Sequence, residues 1–182
     1  MMTNKSRAII QFWFEKLSPK QWFVSSEELD AIIFDRFGEI HDAAVKGELE
    51  SWRATPEGSL AEIILLDQFS RNIYRGQPGA FANDLAALVL AQEAIRKDFQ
   101  TEVETFKRSF FYMPFMHSES SKIHERAVKL FDEPGMEEYL DYEFKHKKII
   151  ERFGRYPHRN QILGRSSTSE EIEFLSQPGS SF

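Results

Sequence analysis

Hydrophobic residues recur along this chain at intervals of three and four, and no stretch alternates with period two for the length of a strand. That periodicity restricts the fold to helices, so the chain is read as all-α with no sheet. Ile9, Ile10, Trp13, Phe14 and Leu17 mark a first helix over residues 5–17. Ser18-Pro19 ends it, because the residue before a proline avoids the helical region. Trp22 and Phe23 are expected to tuck under the loop that follows. Ser26 is an expected N-cap, with Leu29, Ile32, Ile33, Phe37, Ile40 and Ala44 on one face of its helix and Gly47 closing it. Thr55-Pro56-Glu57 opens the next helix, and residues 60–69, the most apolar segment, are expected at the centre. Gly76, Pro78 and Gly79 then break the backbone. Further helices are expected over residues 81–98, over 102–111 until Pro114 bends or ends it, from Ser118 or Ser120 to Phe131, and over 136–153. Thr168, with Glu170 and Glu171 behind it, announces a last helix ending near Leu175.

Seventeen phenylalanines among 182 residues supply an aromatic-rich core for one expected domain, 1–182. A formal charge of −6 argues against a general nucleic-acid partner. Without cysteine the chain forms no disulfide, thiolate nucleophile or Cys-ligated metal site, which suits a reducing cytoplasm. Gln11 and Glu15 interrupt the apolar run from Ala8 too early for a signal segment. No apolar run approaches the length that crosses a bilayer, so no membrane partner is expected.

Four polar clusters stand out against the apolar pattern. Asp67 and Arg71 lie four apart on a helix face shared with core residues, so the carboxylate needs a partner or a cleft. Arg75 belongs to the same cluster. His117, beside Pro114 and ahead of Glu119, is a candidate general base, ligand contact or hydrogen-bonder at a helix start. Glu143 and His146 have the E-x-x-H spacing of di-iron bundles, but one copy does not make such a centre, and no metal or other cofactor is expected. Residues 152–165 are the densest cluster, with Arg152, Arg155, Arg159 and Arg165 around His158 and Asn160. These arginines can hold a phosphate or carboxylate through bidentate contacts. Alternatively Arg152, Arg155 and Arg159 pair with acids such as Asp67 and Glu119 and tie distant helices together. Walker and Rossmann glycine patterns are absent from the sequence, and nothing marks a serine as activated.

Several runs together resemble the DUF924 family of bacterial proteins. They are Phe12-Trp13-Phe14, Trp22-Phe23, Leu65-Leu66-Asp67-Gln68-Phe69, Arg71-Asn72-Ile73-Tyr74-Arg75, Tyr112-Met113-Pro114 and His117-Ser118-Glu119. Arg152-Phe153-Gly154-Arg155, Pro157-His158-Arg159-Asn160 and Leu163-Gly164-Arg165 complete the set. The resemblance covers nearly the whole chain and implies a tetratricopeptide-like fold, antiparallel helix pairs stacked as an α-α superhelix. The family is one of unknown function, so the resemblance implies no reaction, substrate or cofactor. Tyr156 departs from the phenylalanine that the resemblance implies there, a mild change.

Three roles compete for the polar set. In a binding module, Arg71, Arg75, His117, Arg155, His158 and Arg159 line a groove for an anionic small molecule or an acidic peptide end. In a hydrolase-type enzyme, His117 or His158 is the general base, with Asp67 or Glu119 orienting it and an arginine steadying developing charge. In the structural alternative the whole set only cross-links helices. Exposed outer aromatics would support a homodimer. Phe182 is expected to pack onto the domain and offer its carboxylate to an arginine.

Overall fold

Caps and prolines set the helix boundaries in the computed structural model, which describes residues 4–180. The first helix, α1 (Asn4–Gln11), passes directly into a π-helical turn, Phe12–Lys16. Ser18 precedes the short α2 (Pro19–Phe23), and its N–H donates to the Gln21 side chain at 2.9 Å. Ser26 Oγ accepts from Leu29 N at the start of α3 (Glu27–Val45). Thr55 Oγ1 does the same for Gly58 N at the start of α4 (Pro56–Ile64). A Cβ at position 58 would lie 2.2 Å from the Trp52 carbonyl oxygen, so only glycine lets α4 start this close to the preceding turn.

The helical path of α4 continues through a π-helical turn, Leu65–Phe69, into α5 (Ser70–Ile73). After the loop come α6 (Asp84–Arg96), α7 (Thr105–Met116), α8 (Ser121–Phe131), α9 (Glu137–Phe153) and α10 (Ser169–Leu175). Among the described residues there is no strand, and no helix is long and apolar enough to cross a membrane.

The centre is α4, as its composition predicts: Leu60, Ala61, Ile63 and Ile64 are wholly buried against α1, α6 and α7. Aromatic rings close around it. Trp13 lies 5.5 Å from Phe69 and 5.9 Å from Phe110, and Phe37 stands 5.0 Å from Phe12 and 5.2 Å from Phe69. In the C-terminal half consecutive helices pack on one another, α6 on α7, α7 on α8 and α8 on α9. A second, small apolar cluster of Ile149, Ile150 and Tyr156, with Phe153 and Phe174, seats the end of α9 against α10.

Three expectations need correction. Pro114 neither ends α7 nor marks its boundary, since the helix runs two residues further to Met116. The lost N–H is tolerated because residues 109–116 are all buried, and packing outweighs the missing bond. Phe23 does not tuck in but is 61% exposed. Its neighbour Trp22 takes the inward position, 5.0 Å from Phe110 with Nε1 donating to the Trp13 carbonyl, and the next helical residue is rotated about 100° away. Ile32 likewise sits at the exposed edge of its helix face. Phe182 lies outside the described residues.

Candidate functional site

Asp67 occupies the middle of the π-helical turn between α4 and α5 and is 1% exposed. A π turn widens the helix and re-aims its side chains, a distortion that recurs at functional sites. The carboxylate meets His117 at the C-terminal end of α7, Oδ1 to Nδ1 at 2.7 Å. Gln68 donates to Oδ2 at 2.5 Å, and Arg71 lies 3.4 Å from Oδ1. Burial works against the charge on Asp67, but His117, Arg71 and Gln68 reverse that and hold its pKa below the ordinary aspartate value. Burial, with the Arg71 charge, lowers the pKa of His117, and Asp67 only partly offsets this. A neutral imidazole therefore donates Nδ1–H to an ionised carboxylate. Its Nε2 meets no hydrogen-bond partner among the described residues, and the side chain keeps 17% of its surface open.

Asp84, the first residue of α6, joins the cluster although nothing in its sequence spacing singles it out. Its two oxygens accept from Arg71 at 2.9 and 3.1 Å, and one also accepts from Arg159 at 3.0 Å. Arg159 then donates to the His117 carbonyl at 3.1 Å. The Asp67, His117, Arg159, Asp84 and Arg71 contacts form a closed ring that spans the π turn, α5, α6, the end of α7 and the 3-10 turn Pro157–Arg159. Arg159 is stacked between Phe81 and Tyr156, with its Cζ 4.5 and 4.6 Å from the ring centres. Its Nε is a buried donor with no hydrogen-bond partner among the described residues.

The remaining expected site residues fall elsewhere. Glu119 pairs with Arg165 at 2.7 Å and accepts from Tyr156 N, while Asn160 links Arg165 to Glu171. Arg155 pairs with Glu171, which also closes the capping box of α10 with Thr168. Arg152 pairs with Glu170 on the surface, and Arg75 with Asp30. So Arg152, Arg155 and Arg159 do tie separated elements together, but through Glu170, Glu171 and Asp84 rather than Asp67 or Glu119. His158 lies at the edge of the cluster, 5.5 Å from the Tyr156 ring, its pKa pulled down to about 4 by burial and by the Arg159 charge.

Glu143 and His146 take separate partners despite their E-x-x-H spacing. Glu143 bonds His124 at 2.6 Å and His146 bonds the Tyr142 carbonyl at 2.8 Å. Among the described residues no group of three or more His, Asp or Glu is placed to hold a metal ion. Asp84 and Phe81 were legible only as an acid and an aromatic beside a Gly/Pro break at a helix start; their target lies across the fold.

A family model described as bacterial protein of unknown function (DUF924) matches residues 9–179. Among solved structures, the protein of unknown function ATU0120 from Agrobacterium tumefaciens is similar. The two share 42% identity over 94% of this chain and 96% of that one, with a TM-score of 0.90. No curated protein matches.

Proposed function

This chain belongs to the DUF924 family of bacterial proteins of unknown function, and we propose that its Asp67–His117 pair is the acid–base centre of a hydrolase-type site. The observation that carries the reading is the His117 ring, held at Nδ1 by a buried carboxylate with Nε2 unbonded and partly open. Nε2 accepts a proton from water as the water oxygen bonds to an electrophilic carbonyl or phosphoryl centre. Asp67 stabilises the imidazolium without being protonated, and Nε2–H then returns the proton to the leaving group. Arg71, bonded to the Asp67 carbonyl and beside its carboxylate, adds positive charge to the site. The setting we propose is a cytoplasmic, tetratricopeptide-like domain; the consecutive packing of α6 through α9 and the absence of cysteine favour it.

A panel of activated esters and phosphoesters tests the reading. His117→Ala is expected to lower turnover by roughly 10²–10⁴-fold. Turnover unchanged by that substitution removes the pair as the catalytic centre.

One observation favours binding without catalysis, namely the buried Nε of Arg159 that lacks an acceptor. In that case a phosphate or a small carboxylate raises the melting temperature, and the enzyme panel stays silent.

A further inference from the structure

The last carbonyls of an α-helix have no donors within the helix. At the end of α7 three successive carbonyls are captured instead by side chains from elsewhere. Met116 O accepts from the Tyr156 hydroxyl at 2.5 Å, His117 O from Arg159 at 3.1 Å, and Ser118 O from His124 Nε2 at 2.8 Å. The residue in the middle is the one whose imidazole meets Asp67.

Resting on the acid–base reading above, we infer that Tyr156 is a positioning residue for His117: it pins the end of α7 so that the imidazole meets Asp67 through Nδ1 and leaves Nε2 outward. Tyr156 is itself immobilised. Its backbone N–H donates to Glu119 at 2.7 Å, its carbonyl accepts from Arg165 at 3.1 Å, and the Arg159 guanidinium lies over its ring. The hydroxyl hydrogen goes to Met116, so its oxygen is left to face His124 Nε2 at 3.2 Å. Burial raises the phenol pKa above its ordinary value, which keeps the group a donor. The Nδ1–Oδ1 contact is 2.7 Å, and a shift of about 1 Å at the helix end takes it out of hydrogen-bond range. Arg159 also serves the ring of contacts through Asp84, whereas the Tyr156 hydroxyl serves only this helix end and His124. One oxygen atom therefore isolates the effect.

The test is Tyr156→Phe in the full chain, read by ¹⁵N and ¹³C NMR of the histidine side chains across pH. Wild-type His117 is expected in the Nδ1–H form. In Tyr156→Phe a share of it moves to the Nε2–H form, and its pKa falls further below the ordinary imidazole value, because the Asp67 contact that raises it is weakened. A lowered melting temperature with the His117 tautomer and titration unchanged assigns Tyr156 to stability alone and overturns the inference. If Tyr156→Phe does not fold, 3-fluorotyrosine at position 156 alters only the donor strength; shifted His117 signals sustain the inference and unmoved ones overturn it. A wild-type His117 already in the Nε2–H form instead brings down the acid–base reading, and the positioning role with it.

Discussion

His117 with Asp67 and His124 with Glu143 are the same chemical pair in two settings, with contacts of 2.7 and 2.6 Å. In the second pair both side chains are fully buried, and His124 Nε2 faces the Ser118 carbonyl and the Tyr156 oxygen, both acceptors. His124 Nε2 must then carry hydrogen, so the proton on the Glu143 contact sits either on the ring or on the carboxyl. Burial raises the pKa of Glu143, which favours the neutral carboxyl. Asp67 is held below its ordinary pKa because burial is overcome by His117, Arg71 and Gln68. The donors gathered around each carboxylate, together with what meets the outer ring nitrogen, separate a histidine that can act as a base from one that only cross-links helices.

The largest expected effect breaks or sustains this contrast. Glu143→Ala leaves a fully buried imidazole without its partner and is expected to cost about 3 kcal/mol in denaturant unfolding. His117→Ala, at a partly open position, is expected to cost about 1 kcal/mol or less. Equal losses at the two sites would erase the distinction. Glu143→Gln should stay within about 1 kcal/mol of wild type, because its amide can donate to Nδ1 as a neutral carboxyl does.

A pH series sets the pairs against each other. Unfolded histidine takes up a proton near pH 6.5, whereas folded His117 resists, as do His158 to about 4 and His146 to about 3. Below pH 6.5 the unfolded state therefore holds more protons, and stability falls as pH drops toward the folded values. Glu143 acts in the opposite sense, since its raised pKa lets the folded state take up a proton before an unfolded glutamate does. His117→Gln is thus expected to flatten the acid slope below pH 6.5, and Glu143→Gln to steepen it. Parallel slopes in both variants contradict the assignment.

The smallest effect concerns the surface pair Arg152–Glu170, whose side chains are 47% and 60% exposed. Arg152→Ala is expected to change stability by about 0.5 kcal/mol or less. A loss comparable with that of Glu143→Ala would show that exposed arginines of this stretch carry as much as its buried neighbours.

Much of the fold was legible because its determinants are local. Helical spacing placed the inward faces, Ser26, Thr55 and Thr168 stood where their side chains cap the following turns, and the apolar residues 60–69 lie at the centre. The Asp67–Arg71 contact follows from one helical turn, whereas the sequence leaves His117 and His158 open as the base and Asp67 and Glu119 as its carboxylate, and the fold brings His117 to Asp67. Pro114 does not end its helix, because there a local rule meets a buried segment whose packing outweighs one missing N–H. Asp84 is not singled out by its spacing, and Arg152, Arg155 and Arg159 meet Glu170, Glu171 and Asp84 rather than the Asp67 and Glu119 named as examples, because carboxylates identical in sequence differ only in where the chain carries them.

By itself the sequence determined that this chain is helical, that its middle segment is the core, and that a carboxylate on the inward face of that segment needs a positive or donating partner. Those are consequences of period, capping chemistry and the cost of burying charge. The tertiary structure alone decided which partners meet: Asp84 rather than Asp67 receives Arg159, and Tyr156 reaches across to the end of α7. Hydrogen bonds act over about 3 Å, while the residues they join here stand 40 to 75 positions apart, so only the folded path of the chain can choose among chemically equivalent donors and acceptors.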